Sequence, residues 1–72
     1  MGRSRSTIIP KASAARMLSD AGAQRVSGAA AEVLVSILEK KGREITTKAI
    51  RAAFHAGRKT VKAADVKLAS EN

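Results

Sequence analysis

The chain has 72 residues and a net charge of +8, from 14 Lys and Arg against 6 Asp and Glu. With no Cys and one His, it has no means to form a disulfide framework, a thiolate metal site or a Cys nucleophile. Nearly half of its apolar residues are alanine, so one chain of this length can bury only a small core, and we expect an obligate oligomer.

The first elements in chain order are a tail and a short helix. Residues 1–9 carry Arg3 and Arg5 without hydrophobic periodicity, and this predicts a flexible basic tail. Pro10 suits a first helical turn. After it, apolar residues recur at helical spacing as far as Ala21, and Gly22 is suited to end the helix. Residues 10–72 are predicted to form a single domain.

A long stretch of apolar residues at helical spacing follows the loop after Gly22. Ser27 is a good N-cap, and apolar residues then repeat in steps of three and four as far as His55. A continuous helix over this stretch would be about 43 Å long. Whether the helix is continuous stays open because of Gly42, since an interior glycine costs about 1 kcal/mol and could equally end a helix. Phe54 lies on the apolar periodicity and is expected in the core.

The last part of the chain is predicted to be a loop and a short helix. Gly57 ends the long segment, residues 58–61 form a linker, and residues 63–69 form a helix. Val66, Leu68 and Ala69 are expected to face inward. Since no alternating pattern of useful length occurs anywhere, the predicted fold class is all-α.

The residue types argue against catalysis. The sequence has no Gly-rich phosphate loop and no His and carboxylate cluster at metal-ligand spacing. We therefore expect no enzyme, no cofactor and no metal. His55 is interpreted as a histidine at a helix end or an interface.

The charge predicts a polyanionic partner, and the aromatic count predicts its type. Modules that bind RNA or single strands stack bases on aromatic faces, whereas this chain has one aromatic residue, Phe54. Its basic residues cluster instead in two loops, at Arg25 and at Arg58–Lys59–Thr60, each just before a predicted helix. Backbone amides at helix starts suit duplex phosphates, so double-stranded DNA is the predicted partner.

From Pro10 to Ala69 the chain resembles the archaeal histones, the minimal histone-fold family. The resemblance is carried by three segments in the family's order and spacing: Asp20–Ser27, Lys41–Ile45 and His55–Val66. It implies that the long helix continues through Gly42. It also implies a histone fold in which two copies cross head to tail as a handshake homodimer.

The resemblance further implies residue roles. Arg25 matches an arginine that enters the DNA minor groove, Arg16 matches a second DNA-facing arginine, and Arg58, Lys59 and Thr60 match residues beside phosphates. An ion pair is implied between Arg58 and Asp65. Ala52, His55 and Asp65 match positions at the contact between neighbouring dimers, through which archaeal histones extend into filaments on DNA. Gly22 matches a small residue at the contact between the layers of such a filament.

Three features depart from the family pattern: Ala52, the two lysines Lys40 and Lys67 at surface positions that are often acidic in the family, and the length of the tail. Ala52 stands where family members that assemble strongly usually have Leu. The smaller side chain loses about 2 kcal/mol of apolar contact per interface. This loss would weaken the stacking of dimers into nucleosome-like assemblies. The tail is longer than usual, and its Arg3 and Arg5, with Lys11 beyond Pro10, suggest an additional DNA contact; a passive tail is the alternative.

The function that we expect is an architectural protein that binds duplex DNA with little sequence preference, bends or wraps it and compacts the chromosome. The alternatives are a subunit of a heteromeric histone-fold complex and a helix-turn-helix regulator built from residues 46–69. A heterodimer with a paralogous histone stays open. No apolar run is long enough for a membrane span, so we expect a cytosolic, chromosome-associated protein with no membrane partner.

Overall fold

The computed structural model describes residues 8–71, which form three α-helices. They are α1 (Lys11–Asp20), α2 (Gly28–His55) and α3 (Ala63–Ser70), and no strand occurs within the described range. The prediction of an all-α chain with a short, a long and a short helix is confirmed. The predicted tail lies outside the described residues except for Ile8 and Ile9.

The helix boundaries follow from local chemistry. Pro10 precedes α1 with an extended backbone, and its carbonyl accepts the amide of Ser13 at 3.0 Å. Gly22 and Gly57, which follow α1 and α2, both have a positive φ, of 118° and 74°. Such values are readily adopted only by glycine, so each helix ends where the sequence supplies one.

Helix α2 continues through Gly42, which answers the question that the residues alone left open. The hydroxyl of Thr46 donates to the carbonyl of Gly42 at 2.7 Å, and that of Thr47 to the carbonyl of Arg43 at 2.9 Å. These bonds satisfy both hydroxyls inside the helix. A break at Gly42 would instead create two more helix ends, each with backbone groups in need of partners.

The chain divides into two compact units, of which unit 1 extends to Lys40 and unit 2 begins at Lys41. Unit 1 contains α1 and the first part of α2, and unit 2 contains the rest of α2 and α3. Each unit buries a few small side chains. The buried apolar residues are Ala14, Ala31 and Val35 in unit 1, and Ala49, Ala53 and Ala69 in unit 2.

Most of the large apolar side chains of residues 8–71 are left exposed by the single chain. Phe54 is 67% exposed, so the expectation that it lies in the core is wrong for one chain, and the same holds for Val66 and Leu68. Ala69 does face inward, at 5% exposure. Hydrophobic periodicity indicates that a face is apolar but not which chain covers it. The exposed set is Ile8, Met17, Val33, Ile37, Ile50, Phe54, Val61, Val66 and Leu68.

Two kinds of site are absent from the described part of the chain. No helix there combines the length and the hydropathy that a membrane crossing requires. No group of three or more His, Asp or Glu side chains comes together there in a way that could hold a metal ion.

Candidate nucleic-acid interface

Loop 1, which we define as residues 21–27 between α1 and α2, turns the chain tightly at the end of α1. The amides of Gly22 and Ala23 donate to the carbonyls of Ser19 and Leu18, each at 3.0 Å. These bonds satisfy carbonyls at the end of α1 and fix the direction in which the loop leaves it. Arg25 follows in the loop and is exposed.

The end of loop 1 places Arg25 two residues before the N-cap of α2. The hydroxyl of Ser27 accepts the amide of Ala30 at 3.0 Å, which confirms the predicted cap. The first turn of α2 contains no acidic side chain. The positive end of the helix dipole is therefore not neutralised by its own first turn, and it adds to the charge of Arg25.

Arg25 makes no hydrogen bond or ion pair with any other residue in the range 8–71. It lines a groove of unit 1 together with apolar and small polar residues: Leu18, Ala23, Val26, Ser27 and Ala30. A guanidinium without a partner beside unneutralised helix amides is an arrangement suited to an anion.

Arg16 and Lys11 lie on α1 in the same unit. Arg16 pairs with Asp20 one turn away at 3.8 Å, and both side chains are mostly exposed, at 83% and 73%. So exposed a pair contributes little to stability. Lys11 pairs with Glu32 at 3.3 Å, and its ammonium lies about 3.1 Å from where a Cβ on Gly28 would be. The structure thus brings Lys11 to the first residue of α2.

Loop 2, residues 56–62 between α2 and α3, is organised around an ion pair. Arg58 donates through two nitrogens to the two carboxylate oxygens of Asp65, both at 2.9 Å, and one of these nitrogens also donates to the carbonyl of Thr60 at 2.9 Å. The carboxylate accepts the amide of Lys62 at 2.8 Å, which caps the start of α3. This is the Arg58–Asp65 pair that the histone resemblance implies.

The burial and the pKa values of Arg58 and Asp65 indicate a structural ion pair. Asp65 is buried, with 6% of its surface exposed. The hydrogen bond from Arg58, followed by that from the Lys62 amide, lowers the pKa of Asp65 from its usual 3.8 to about 2. The same hydrogen bond raises the pKa of Arg58. The loop therefore holds Lys59 and Thr60, which are exposed, on a braced backbone.

The residues expected at contacts between dimers lie in unit 2. Ala52 is half-buried, and His55 is exposed at the last position of α2. Asp65 is buried and already paired within the chain. The assignment of these residues, and of exposed Gly22 in loop 1, to contacts between dimers or layers stays a prediction. Arg3 and Arg5 lie outside the described residues.

Two contacts of unit 1 were not anticipated from the sequence. Glu32 pairs with Lys11, and Glu39 accepts the backbone amides of Ile8 and Ile9. Both acidic residues lie on the polar positions of α2, where the sequence pattern predicts only solvated charge. Contacts across 21 and 30 residues leave no local signal, because they depend on how the chain folds back.

Comparison with known proteins agrees with this geometry. The family described as histone-like transcription factor (CBF/NF-Y) and archaeal histone matches residues 7–69. The chain is 51% identical over 61 residues to one subunit of the archaeal histone HAN1 of Thermococcus zilligii. It is 49% identical over 61 residues to probable archaeal histone 3 of Methanocaldococcus jannaschii. Each match covers 85% of this chain and 91% of the relative.

These matches confirm the resemblance that the three sequence segments carry. The head-to-tail handshake dimer is typical of the family, and the archaeal histones within it are DNA-binding proteins associated with the chromosome. The order of three helices without a strand in the described residues agrees with the histone fold of this family. The chain belongs to the family of archaeal histones and histone-like transcription factors.

Proposed function

We propose that this chain is a non-enzymatic architectural protein that binds duplex DNA as a homodimer, with little sequence preference, and bends and compacts the chromosome. The observation that carries the proposal is loop 1. There an exposed arginine without a protein partner in residues 8–71 lies beside a helix start that no acidic side chain neutralises. Contacts of this kind act on phosphates and on the narrow minor groove rather than on base edges, so they carry little sequence information.

The homodimer is supported by the apolar surface that one chain leaves uncovered. In unit 1, Met17, Val33 and Ile37 are each more than half exposed, and in unit 2 so are Phe54 and Leu68. Exposure of this many large apolar side chains is unfavourable in water, and a second chain removes it. A dimer also doubles the loop arginines, which raises the number of phosphates that one particle contacts.

The role of Arg25 is tested by the salt dependence of duplex binding. Arg25→Ala should weaken binding to all duplex sequences by about tenfold at moderate salt and reduce the salt slope by about one per chain. Arg43→Ala is the matched control, because it removes the same charge from an exposed position on α2. Equal losses of DNA affinity for the two variants would contradict a specific role of Arg25 in the interface.

Assembly on DNA is tested by nuclease digestion of the protein on a long random-sequence duplex. Protected fragments that grow by a constant step indicate dimers that stack, whereas one short size indicates a dimer that bends DNA without stacking. Ala52→Leu should lengthen the protected fragments if apolar contact at this position limits assembly. Absence of protection at low salt would contradict the proposal that the protein binds and compacts duplex DNA.

A heterodimer with a different histone-fold chain is the second candidate. The observation in its favour is the same uncovered apolar surface, which does not specify an identical partner. Sedimentation of the purified chain distinguishes the two, because a homodimer is folded and dimeric alone. A chain that stays unfolded until a second histone-fold chain is added supports the heterodimer. The helix-turn-helix alternative is less well supported, since residues 46–55 are the last part of the long helix α2 rather than a separate short helix.

A further inference from the structure

The side chain of Lys11 reaches from α1 to the start of α2. Its ammonium lies 3.3 Å from a carboxylate oxygen of Glu32, with which it forms an ion pair. It also lies 3.1 Å from the place that a Cβ on Gly28 would occupy, and its Cε lies 3.6 Å from that place. Since Gly28 directly follows loop 1, the ammonium is placed at the end of the loop that contains Arg25.

The backbone that carries Lys11 is fixed by the residues around it. Pro10 has a φ of −65°, and its carbonyl accepts two amides from the first turn of α1, at 3.0 Å and 3.4 Å. One carboxylate oxygen of Glu39 accepts the amides of Ile8 and Ile9, at 2.5 Å and 2.8 Å. Because the ends of helices otherwise fray, these contacts keep the first residue of α1 in place.

Glu32 and Gly28 together define where the Lys11 ammonium lies. Positions 28 and 32 are one turn apart and share a face of α2. The carboxylate at position 32 attracts the ammonium, and the missing side chain at position 28 leaves space for it. A lysine side chain loses much rotamer freedom when a partner fixes it. A lysine that is already held in the free protein therefore loses less on binding a phosphate.

The ion pair leaves Lys11 able to bind a second anion. An ammonium has three N–H donors, and among residues 8–71 only Glu32 accepts a hydrogen bond from it. The side chains of the pair are 54% and 68% exposed, so the contact restricts the ammonium without burying it. A phosphate can approach it from solvent.

We propose that Glu32 is a positioning residue for DNA binding, which holds the Lys11 ammonium in the space left by Gly28 so that it binds a backbone phosphate beside loop 1. This role rests on the proposed DNA-binding function, and it adds Lys11 to Arg25 as a second cation of the interface in unit 1. An acidic residue whose charge by itself opposes DNA binding thereby favours it.

The placement of the ammonium is tested on the free protein by nuclear magnetic resonance relaxation of the lysine side chains. The Lys11 ammonium should be more ordered than that of Lys40, which is exposed on α2 and makes no ion pair within residues 8–71. Glu32→Ala should abolish this difference, and Glu32→Gln, which keeps a neutral acceptor, should retain part of it. Glu44→Ala, at another exposed position on α2, is the control and should leave it unchanged. Equal mobility of the two ammonium groups in the unsubstituted protein would overturn the proposal.

The positioning role is tested by a double-mutant cycle in duplex binding. Lys11→Met removes the charge and keeps the length of the side chain. It should weaken binding about fivefold and lower the salt slope by about one per chain, in the unsubstituted protein and in the Glu44→Ala background. In the Glu32→Ala background it should weaken binding by about twofold or less, and Glu32→Gln should restore part of the effect. Lys40→Met is the control for loss of a lysine charge from unit 1 and should have a smaller effect.

Gly28→Val tests the same placement without changing any charge, because its side chain would fill the place of the ammonium. In this background Lys11→Met should weaken binding by about twofold or less. Ala29→Val, at the next position and also exposed, is the matched control and should keep the full effect of Lys11→Met. Equal effects in the two valine backgrounds would contradict the placement.

Two outcomes of the cycle would overturn the inference. One is an equal loss on Lys11→Met in the Glu32→Ala and Glu44→Ala backgrounds, and the other is no loss on Lys11→Met in the unsubstituted protein. Neither affects the proposed function, which fails separately if the unsubstituted protein does not bind duplex DNA or if Arg25→Ala and Arg43→Ala behave alike. Circular dichroism confirms that each variant retains its helices.

Discussion

The two loops use arginine in opposite ways. In loop 2, Arg58 is bound through two nitrogens to buried Asp65 and is partly shielded, with 32% of its side chain exposed. In loop 1, Arg25 is exposed and has no hydrogen-bond or ion-pair partner among residues 8–71. Both arginines lie between a glycine with positive φ and the start of the next helix.

The difference shows that the position of an arginine beside a helix start does not define its role. What separates the loops is the acidic residue in the first turn of the following helix. Asp65 lies in the first turn of α3, whereas the first turn of α2 has no acidic residue. An internal carboxylate converts the arginine into a brace, and its absence leaves the arginine available for an external anion.

Loss of the brace should have the largest effect on stability. Asp65→Asn removes the charge that Arg58 and the Lys62 amide share, and it leaves a guanidinium without its partner. We expect a larger fall in melting temperature, measured at fixed protein concentration, than for any other single substitution in the two loops or at the helix ends. Lys59→Ala, at an exposed position in loop 2, is the control and should leave the melting temperature nearly unchanged.

The pH dependence of stability should carry the signature of the same pair. The pKa of Asp65 is about 2 in the folded chain against 3.8 as its usual value, so the unfolded chain binds more protons between these values. The stabilisation is complete above about pH 4 and is lost as the pH falls towards 2. The difference in unfolding free energy between the protein and Asp65→Asn should narrow over this interval. A difference that stays constant would show that Asp65 is not the titrating group.

The glycines that open the two loops should differ in how much they tolerate a side chain. Gly57 has a φ of 74°, near the left-handed region, and Gly57→Ala should cost about 1–2 kcal/mol. Gly22 has a φ of 118°, farther from any conformation of alanine, so Gly22→Ala should cost more.

Gly42→Ala is the control for the glycine variants. Gly42 lies within α2, and apart from its own chain neighbours and the nearby helix backbone no atom of the described residues lies within 4 Å of an added Cβ, so this change should stabilise by about 1 kcal/mol in denaturant unfolding. A loss of stability would mean that a second chain approaches α2 at Gly42.

The cap that closes loop 1 should have an intermediate effect. Ser27→Ala removes the acceptor of the Ala30 amide at the start of α2 and should lower the unfolding free energy by about 1 kcal/mol. Ser13→Ala on α1 is the control, because the Ser13 side chain is exposed and makes no hydrogen bond with the rest of residues 8–71. Equal effects in chemical denaturation would contradict the assignment of Ser27 as the cap.

The smallest effect on stability is expected for the arginine of loop 1. Arg25→Ala should change the unfolding free energy by less than about 0.5 kcal/mol, because no contact within the described chain is lost. Arg58→Ala should lower the melting temperature clearly. If calorimetry showed the two arginines to be equally important for folding, the contrast between the loops would be refuted.

The helices and their ends were predictable because their signals are local. Ser27, Gly22 and Gly57 act within a few residues of where they stand, and the structure has the cap and both turns at these positions. The pairing of Arg58 with Asp65, seven residues apart, was predicted from the family resemblance and not from a local signal. The continuity of α2 through Gly42 could not be predicted from the residues alone, since the cost of one glycine is close to that of ending a helix.

The remaining contacts depend on distant parts of the chain. The sequence determined an all-α chain with three helices, a strongly basic surface and two loop clusters of basic residues, because periodicity, caps and charge are properties of neighbouring residues. The tertiary structure decided which basic residues are bound internally and which are available. It also decided that alanines fill the small buried clusters while Phe54 stays exposed, and that Glu39 closes on the amides of Ile8 and Ile9. These features follow from which surfaces meet when the chain folds back, and pairings across some 30 residues leave no pattern in the sequence.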